Sequence, residues 1–249
     1  MANTDVMLCE TVPVKGHHGD VIPAYLARPV GPGPFPGIVV IHYAPGWDET
    51  IKETTRMFAA HGHSAICPNL HDRELPGGDP VEQAKIVSDA GRVPDERFVA
   101  DFSGALEYLR GLPAWNGKTA VVGYCSGGRQ ALLAGCKFDL DAVIDCYGGR
   151  VVLEPESLHP RQPVAVFDML ADMSAPVLGL FGALDTEPSP QQVGHISAEL
   201  ERLGKTVDFT VYEGANHGFF SVDRPNYNVE AAKDGWSRVW EWLDRYVAN

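Results

Sequence analysis

No run of this chain approaches the roughly 18 consecutive apolar residues of a membrane-spanning helix. The opening ten residues, MANTDVMLCE, hold neither a basic region nor an apolar core, so no secretory leader is expected. Positive charge is scarce: 20 Lys and Arg stand against 33 Asp and Glu, a formal net charge of −13. That balance argues against nucleic acid and anionic membrane surfaces as partners. Cysteine is sparse and odd in number. Cys9, Cys67, Cys125, Cys136 and Cys146 follow no regular spacing, which argues against a disulfide framework and for reduced thiols in a cytoplasmic setting. The histidine doublets, His17-His18 in a Gly-flanked turn and His61-x-His63 beside Gly62, read as a solvated turn and a helix end rather than as metal ligands. No internal repeat and no low-complexity segment occurs. What is present is ordinary for a folded chain: 45% hydrophobic and 21% charged residues over 249 positions, enough for one large core spanning 1–249 without metal or disulfide staples.

Organisation centres on Gly123-Tyr124-Cys125-Ser126-Gly127-Gly128. A short apolar run, 119–122, precedes it and a helical pattern, 129–136, follows. A strand, a sharp turn and a helix with a nucleophile between glycines is the pattern of a nucleophile elbow, here with cysteine at its centre. The turn must be tight, and a Cβ at a flanking position would crowd it. The following helix aims its unpaired N–H groups and positive dipole end at the thiol, which favours thiolate and a developing oxyanion. Taken alone, a cysteine between glycines is more often buried core than catalyst, and its place between a strand and a helix makes the two readings even.

The rest of the chain supplies the context. Residues 10–28 read as an antiparallel strand pair with a turn at 16–20. Strands follow at 37–42, 64–67, 119–122, 142–147, 176–181 and 206–212. Helices are expected from Asp48 as cap to about 60, from about 81, over 94–110, 129–136, from the capping box Ser189-Pro190-Gln191-Gln192 to 203, and at the end, where Trp236, Val239, Trp240 and Leu243 share a face. Phe98 and Phe102 fall at helical spacing and read as core. Strands alternating with helices predict an α/β fold: a mostly parallel, doubly wound sheet with an antiparallel N-terminal strand pair. The proline-bearing stretch 150–175 reads as an irregular excursion, a lid or a lining of the site. In such sheets chemistry gathers at the carboxyl ends of strands. Asp185 follows one strand in FGALDTEP and His217 follows the next in YEGANHGFF. Nucleophile, acid, histidine is the chain order of the α/β-hydrolases.

With GYCSGG, PVLGLFGALD and YEGANHGF in place, the chain resembles the dienelactone hydrolase family of α/β-hydrolases, carboxymethylenebutenolidase-like enzymes, from about residue 20 to about residue 245. The resemblance implies hydrolysis of a small lactone or ester through a thioester acyl-enzyme, with no cofactor and no metal. It places the triad on Cys125, Asp185 and His217. Backbone N–H groups of Ser126 and Ala44 are the expected oxyanion donors. Tyr43, Trp47, Tyr124, Arg73 and Phe219 are candidates for the substrate pocket. Two departures stand out. The family commonly has a glutamate where this chain has Tyr43, so the thiol is expected to be activated directly by His217. The arginine that the best-known members carry four residues after the histidine is Ser221 here; Arg224 is the nearest, and Arg73, Arg129 and Arg150 are the remaining cations that could hold a substrate carboxylate. Neutral or weakly charged substrates are therefore expected. Two other readings stay open at this point: a non-catalytic ligand-binding relative, and a thioester or carbon–carbon hydrolase on the same fold. Oligomeric state is not legible.

Overall fold

The computed structural model describes residues 6–248. The strands are β1 (Met7–Lys15), β2 (Val21–Pro29), β3 (Phe35–Ile41), β4 (Ser64–Pro68), β5 (Trp115–Tyr124), β6 (Ala142–Cys146), β7 (Val177–Gly182) and β8 (Val207–Tyr212). The helices are α1 (Glu49–Ala60), α2 (Pro80–Asp89), α3 (Asp95–Arg110), α4 (Ser126–Lys137), α5 (Pro190–Arg202) and α6 (Val229–Tyr246). The strands form one sheet in the order β1-β2-β4-β3-β5-β6-β7-β8. β2 runs antiparallel to β1 and to β4, while β3–β4, β6–β7 and β7–β8 are parallel. This is the mixed α/β sheet with an antiparallel start that the alternation of patterns implied.

The chain divides into two compact units. One holds residues up to Ala120 together with His159–Pro163; the other holds Val121–Leu158 and Val164–Ala248.

In the first unit, β3 and β4 read as continuous apolar runs because both faces are covered: Ile38, Val39, Val40, Ile41, Ala65, Ile66 and Cys67 have no exposed surface. Asp48 caps α1, its carboxylate accepting the Ile51 N–H at 3.1 Å. Ile51, Thr55, Phe58 and Ala59 are the buried face of α1, with Met57 at its margin. The helix ends at His61, with Gly62 at φ 89°. His61 Nδ1 and His63 Nδ1 lie 2.8 and 3.2 Å from the carbonyl oxygens of Met57 and Phe58, so these histidines finish a helix. α3 is tied to the β1–β2 turn by a buried carboxylate. Asp101 accepts the His17 backbone N–H at 2.9 Å and takes both terminal nitrogens of Arg73, at 2.7 and 2.9 Å. The approach is so close that a Cβ on Gly16 would overlap Asp101 Oδ1, and one on Gly104 the Lys15 carbonyl oxygen.

In the second unit, α4 is buried from Gly127 to Cys136. Its small residues permit that: a Cβ on Gly135 would lie 2.6 Å from Met173 Sδ and from Val143 Cγ2. Val166, Leu170 and Met173 have no exposed surface, so 166–173 belongs to the core of this unit. The Ser189 capping box forms as expected, with Pro190 at the first helical position of α5. In α6 the buried indole is Trp242, while Trp236 and Trp240 stack on each other at 5.0 Å and are half-exposed. The expected apolar face of α6 was thus turned slightly: Val239 and Leu243 face the core, joined by Ala231, Ala232 and Gly235 rather than by the two stacked indoles.

Candidate active site

Cys125 sits between β5 and α4 as the N-cap of the helix, at φ 55° and ψ −119°. A non-glycine residue there is strained by roughly 1–3 kcal/mol, a cost that recurs at functional turns. Neighbouring backbone holds the strain: the Cys125 N–H donates to the Cys146 carbonyl and its own carbonyl accepts from the Gly128 N–H, each at 2.9 Å. Gly123 is required because a Cβ on it would overlap the Gly127 carbonyl oxygen. Ser126 opens α4, so its backbone N–H lies among the unpaired donors of the helix end.

His217 comes from the loop after β8 and Asp185 from the loop after β7. His217 Nδ1–H donates to Asp185 Oδ2 at 2.7 Å. The carboxylate is aimed by its other oxygen, which accepts the Glu187 N–H at 2.9 Å. The Asp185 side chain is almost wholly buried, whereas about a third of the His217 side chain is open. Burial favours neutral imidazole, but hydrogen bonds to Asp185 and to Cys125, with their charges, outweigh it and push His217 up to about 10. The structure thus brings Cys125, His217 and Asp185 into one hydrogen-bonded chain. The loop is held by the Asn226 amide, which donates to the His217 carbonyl at 3.0 Å.

The other thiols differ from Cys125. Cys67 and Cys146 have no exposed surface, and burial pushes both well up; Cys136, also buried, is pushed up to about 12. Cys9 is exposed. None of the five forms a disulfide.

Three pocket candidates take other duties. Arg73 is corrected to a structural cation: Asp101 and Asp20 occupy its guanidinium, so it has no fork left for a substrate carboxylate. Phe219 has no exposed surface and lies among Tyr147, Tyr212 and Phe220. Tyr124 is likewise buried, its ring 6.3 Å from Tyr147 and 6.0 Å from Phe220. Both are packing residues because the strand end and the following loop fold their rings inward. In the first unit, Tyr43 is buried and its hydroxyl donates to Asp48 Oδ1 at 2.6 Å. Trp47 donates from its indole to the Cys67 carbonyl at 2.9 Å, with Lys52 Nζ 4.1 Å above the ring. Ala44, half-buried, follows β3. Arg129 is buried in α4, its Nε donating to the Arg150 carbonyl at 3.3 Å. Arg150, at φ 59°, donates to the Ser157 carbonyl.

Three features escaped the sequence reading. His42 is buried as a neutral ring: Nε2 accepts the Leu70 N–H at 3.2 Å, Nδ1–H reaches the Tyr43 carbonyl at 2.9 Å, and burial lowers it to about 4. Tyr147, at φ 47°, sets its ring 5.1 Å from that of His217. Asp145 lies buried at the end of β6. The available signals were a carboxylate inside the apolar run AVIDCY and the Gly148-Gly149 pair after it. Among the described residues no three His, Cys, Asp or Glu side chains are grouped to hold a metal, and no helix is long and apolar enough to cross a membrane.

A mixed, mostly parallel sheet with an elbow after β5, an acid after β7 and a histidine after β8 defines an α/β-hydrolase. Within that class the chain belongs to the dienelactone hydrolase family, whose sequence profile matches residues 22–247. It is 35% identical over 228 residues to the "Putative carboxymethylenebutenolidase" of Methylorubrum extorquens, covering 91% of this chain and 77% of that protein. The protein of the same description from Escherichia coli K12 is 33% identical over 238 residues, covering 92% and 84%. Among solved structures, the "Putative Dienelactone Hydrolase" of Klebsiella pneumoniae superposes with a TM-score of 0.88 at 30% identity, covering 97% of this chain and all of that one. The protein is a lactone or ester hydrolase of small molecules.

Proposed function

We propose that this hydrolase uses Cys125 as its nucleophile and passes through a thioester acyl-enzyme. The observation that carries the reading is the His217 ring, hydrogen-bonded on one side to Asp185 and on the other to Cys125, with Cys125 on the strained cap of α4. Asp185 holds the imidazole in one orientation and stabilises its positive form. With His217 raised to about 10, the pair rests at neutral pH as thiolate and imidazolium. The sulfur attacks the substrate carbonyl carbon, and negative charge gathers on oxygen. The Ser126 N–H at the helix end is the donor that meets it. As the carbonyl re-forms, the carbon–oxygen bond of the ester breaks, and the leaving oxygen takes its proton from His217. In a lactone that oxygen stays within the acyl chain. Neutral His217 then takes a proton from water, hydroxide adds to the thioester, and the sulfur leaves as thiolate beside a renewed imidazolium.

The substrate is a neutral or weakly charged lactone or ester. The net charge of −13 gives no attraction to anions, Ser221 stands where related enzymes offer a cation, and Arg73 is engaged with Asp101 and Asp20. A cytoplasmic setting fits thiols that are all outside disulfides. The test is alkylation. Iodoacetamide at neutral pH is expected to modify Cys125 first and to abolish ester hydrolysis in step with labelling, and Cys125→Ala to lose activity by orders of magnitude while remaining folded. Loss of activity with the label on Cys9 alone would defeat the assignment.

A further inference from the structure

The mechanism leaves one buried acid at the site unused. Asp145 ends β6, and Gly179 of β7 lies opposite it in the sheet. Its Oδ1 accepts the Gly148 N–H at 2.7 Å, and its Oδ2, also buried, has no hydrogen-bond partner. Two glycines make room for the carboxyl: a Cβ on Gly128, in the first turn of α4, would overlap Oδ1, and so would one on Gly148. The next residue, Cys146, accepts the Cys125 N–H. Asp145 therefore lies against the first turn of the helix that Cys125 caps.

We infer that Asp145 is a positioning residue for the Cys125 centre, whose charge state sets the field at the helix end where thiolate and oxyanion form. The inference rests on the reading of Cys125 as nucleophile. A neutral carboxyl leaves the positive end of α4 available to both anions; a carboxylate cancels part of it. The ionisable groups whose charge Asp145 meets are Cys146 on β6 and His217 on the loop after β8, with Tyr124 and Tyr147 beyond Cys146. Burial pushes the Asp145 carboxyl up to about 7, against the pull of the Gly148 N–H and of the His217 charge. The change of charge thus falls in the neutral range, where the enzyme would work.

The experiment measures kcat/KM for a neutral aryl ester from about pH 5.5 to about pH 9 in the parent and in Asp145→Asn, which keeps the acceptor for Gly148 and removes the charge. The ratio of variant to parent is expected to rise through the neutral range by on the order of three- to tenfold, the effect of one unscreened charge near a reacting anion. A ratio that does not change with pH, whatever its size, overturns the inference, because lost packing weakens the enzyme equally at every pH. Asp145→Ser also removes the charge and carries the same expectation should the asparagine variant not fold. Cys125→Ala in the same assay separates the two readings. If it still hydrolyses the ester, the nucleophile assignment has failed; if it is inactive while the ratio stays flat, only the role of Asp145 has.

Discussion

Replacing Asp185 by asparagine keeps the shape of the side chain and removes its charge, so it isolates what the carboxylate does to His217. The rise of His217 from 6.5 to about 10 corresponds to about 5 kcal/mol, at about 1.4 kcal/mol per unit. It is shared between Asp185 and Cys125, and the side chain is about a third open to solvent. Half of the total, discounted for screening, leaves about 1–2 kcal/mol from Asp185. That is about a five- to thirtyfold shift of the thiolate–imidazolium pair towards the neutral pair. The kinetic effect is larger. An amide can turn its oxygen or its nitrogen to Nδ1, and when the nitrogen faces the ring the proton moves to Nε2, which then cannot accept from the thiol. A loss of up to about 10⁴ in kcat is expected, as for the same change in serine hydrolases. The assay is the pH dependence of Cys125 alkylation alongside ester hydrolysis. The acid limb of alkylation should move to higher pH in the variant. The raised pKa of His217 also sets a sign for stability: its contribution is complete below about pH 6.5 and fades as pH climbs through about 10, and the variant should show a smaller alkaline decline. Retention of more than half the parent activity with an unmoved alkylation profile would refute the reasoning.

Other expectations are quicker to check. Gly123→Ala places a methyl against the Gly127 carbonyl oxygen, so the elbow must shift; hydrolysis should fall at least about a hundredfold while circular dichroism stays close to that of the parent. Asp101→Ala strips the buried partner from Arg73 and the acceptor from the His17 N–H; urea unfolding should show a loss of about 3–5 kcal/mol, and an unchanged midpoint would mean that this clamp is not structural. His42 and His63 are both lowered to about 4 by burial, so their contribution to stability is present above pH 6.5 and lost as pH falls through about 4; acid unfolding should steepen across that interval, and less so in His63→Gln.

Much of this was legible in one dimension because it depends on neighbours in sequence. The Ser189 box, the Asp48 cap and the stop at Gly62 are satisfied within a turn or two of chain, and β3 betrays two-sided burial by having no polar position. The elbow is local as well: glycine is demanded by the turn itself, and the order Cys125, Asp185, His217 follows from the order of strands in the sheet. The face of α6 was less secure. Trp236, Trp240 and Trp242 are equally apolar as letters, and only the packing of the helix decided that Trp242 goes inward.

Sequence by itself determined the class of fold, the three residues placed at strand ends and the family, because each rests on spacing and local backbone chemistry. Tertiary structure decided which partner each long-range group would find. Arg73 was a free cation on paper and is bound to Asp101, 28 residues away. Tyr124 stands one residue from Cys125 and Phe219 two from His217, yet both turn into an aromatic core. Asp145 was one acid in an apolar run until the sheet and α4 enclosed it. Charge pairing and burial are properties of distance in space, and a sequence carries distance only along the chain.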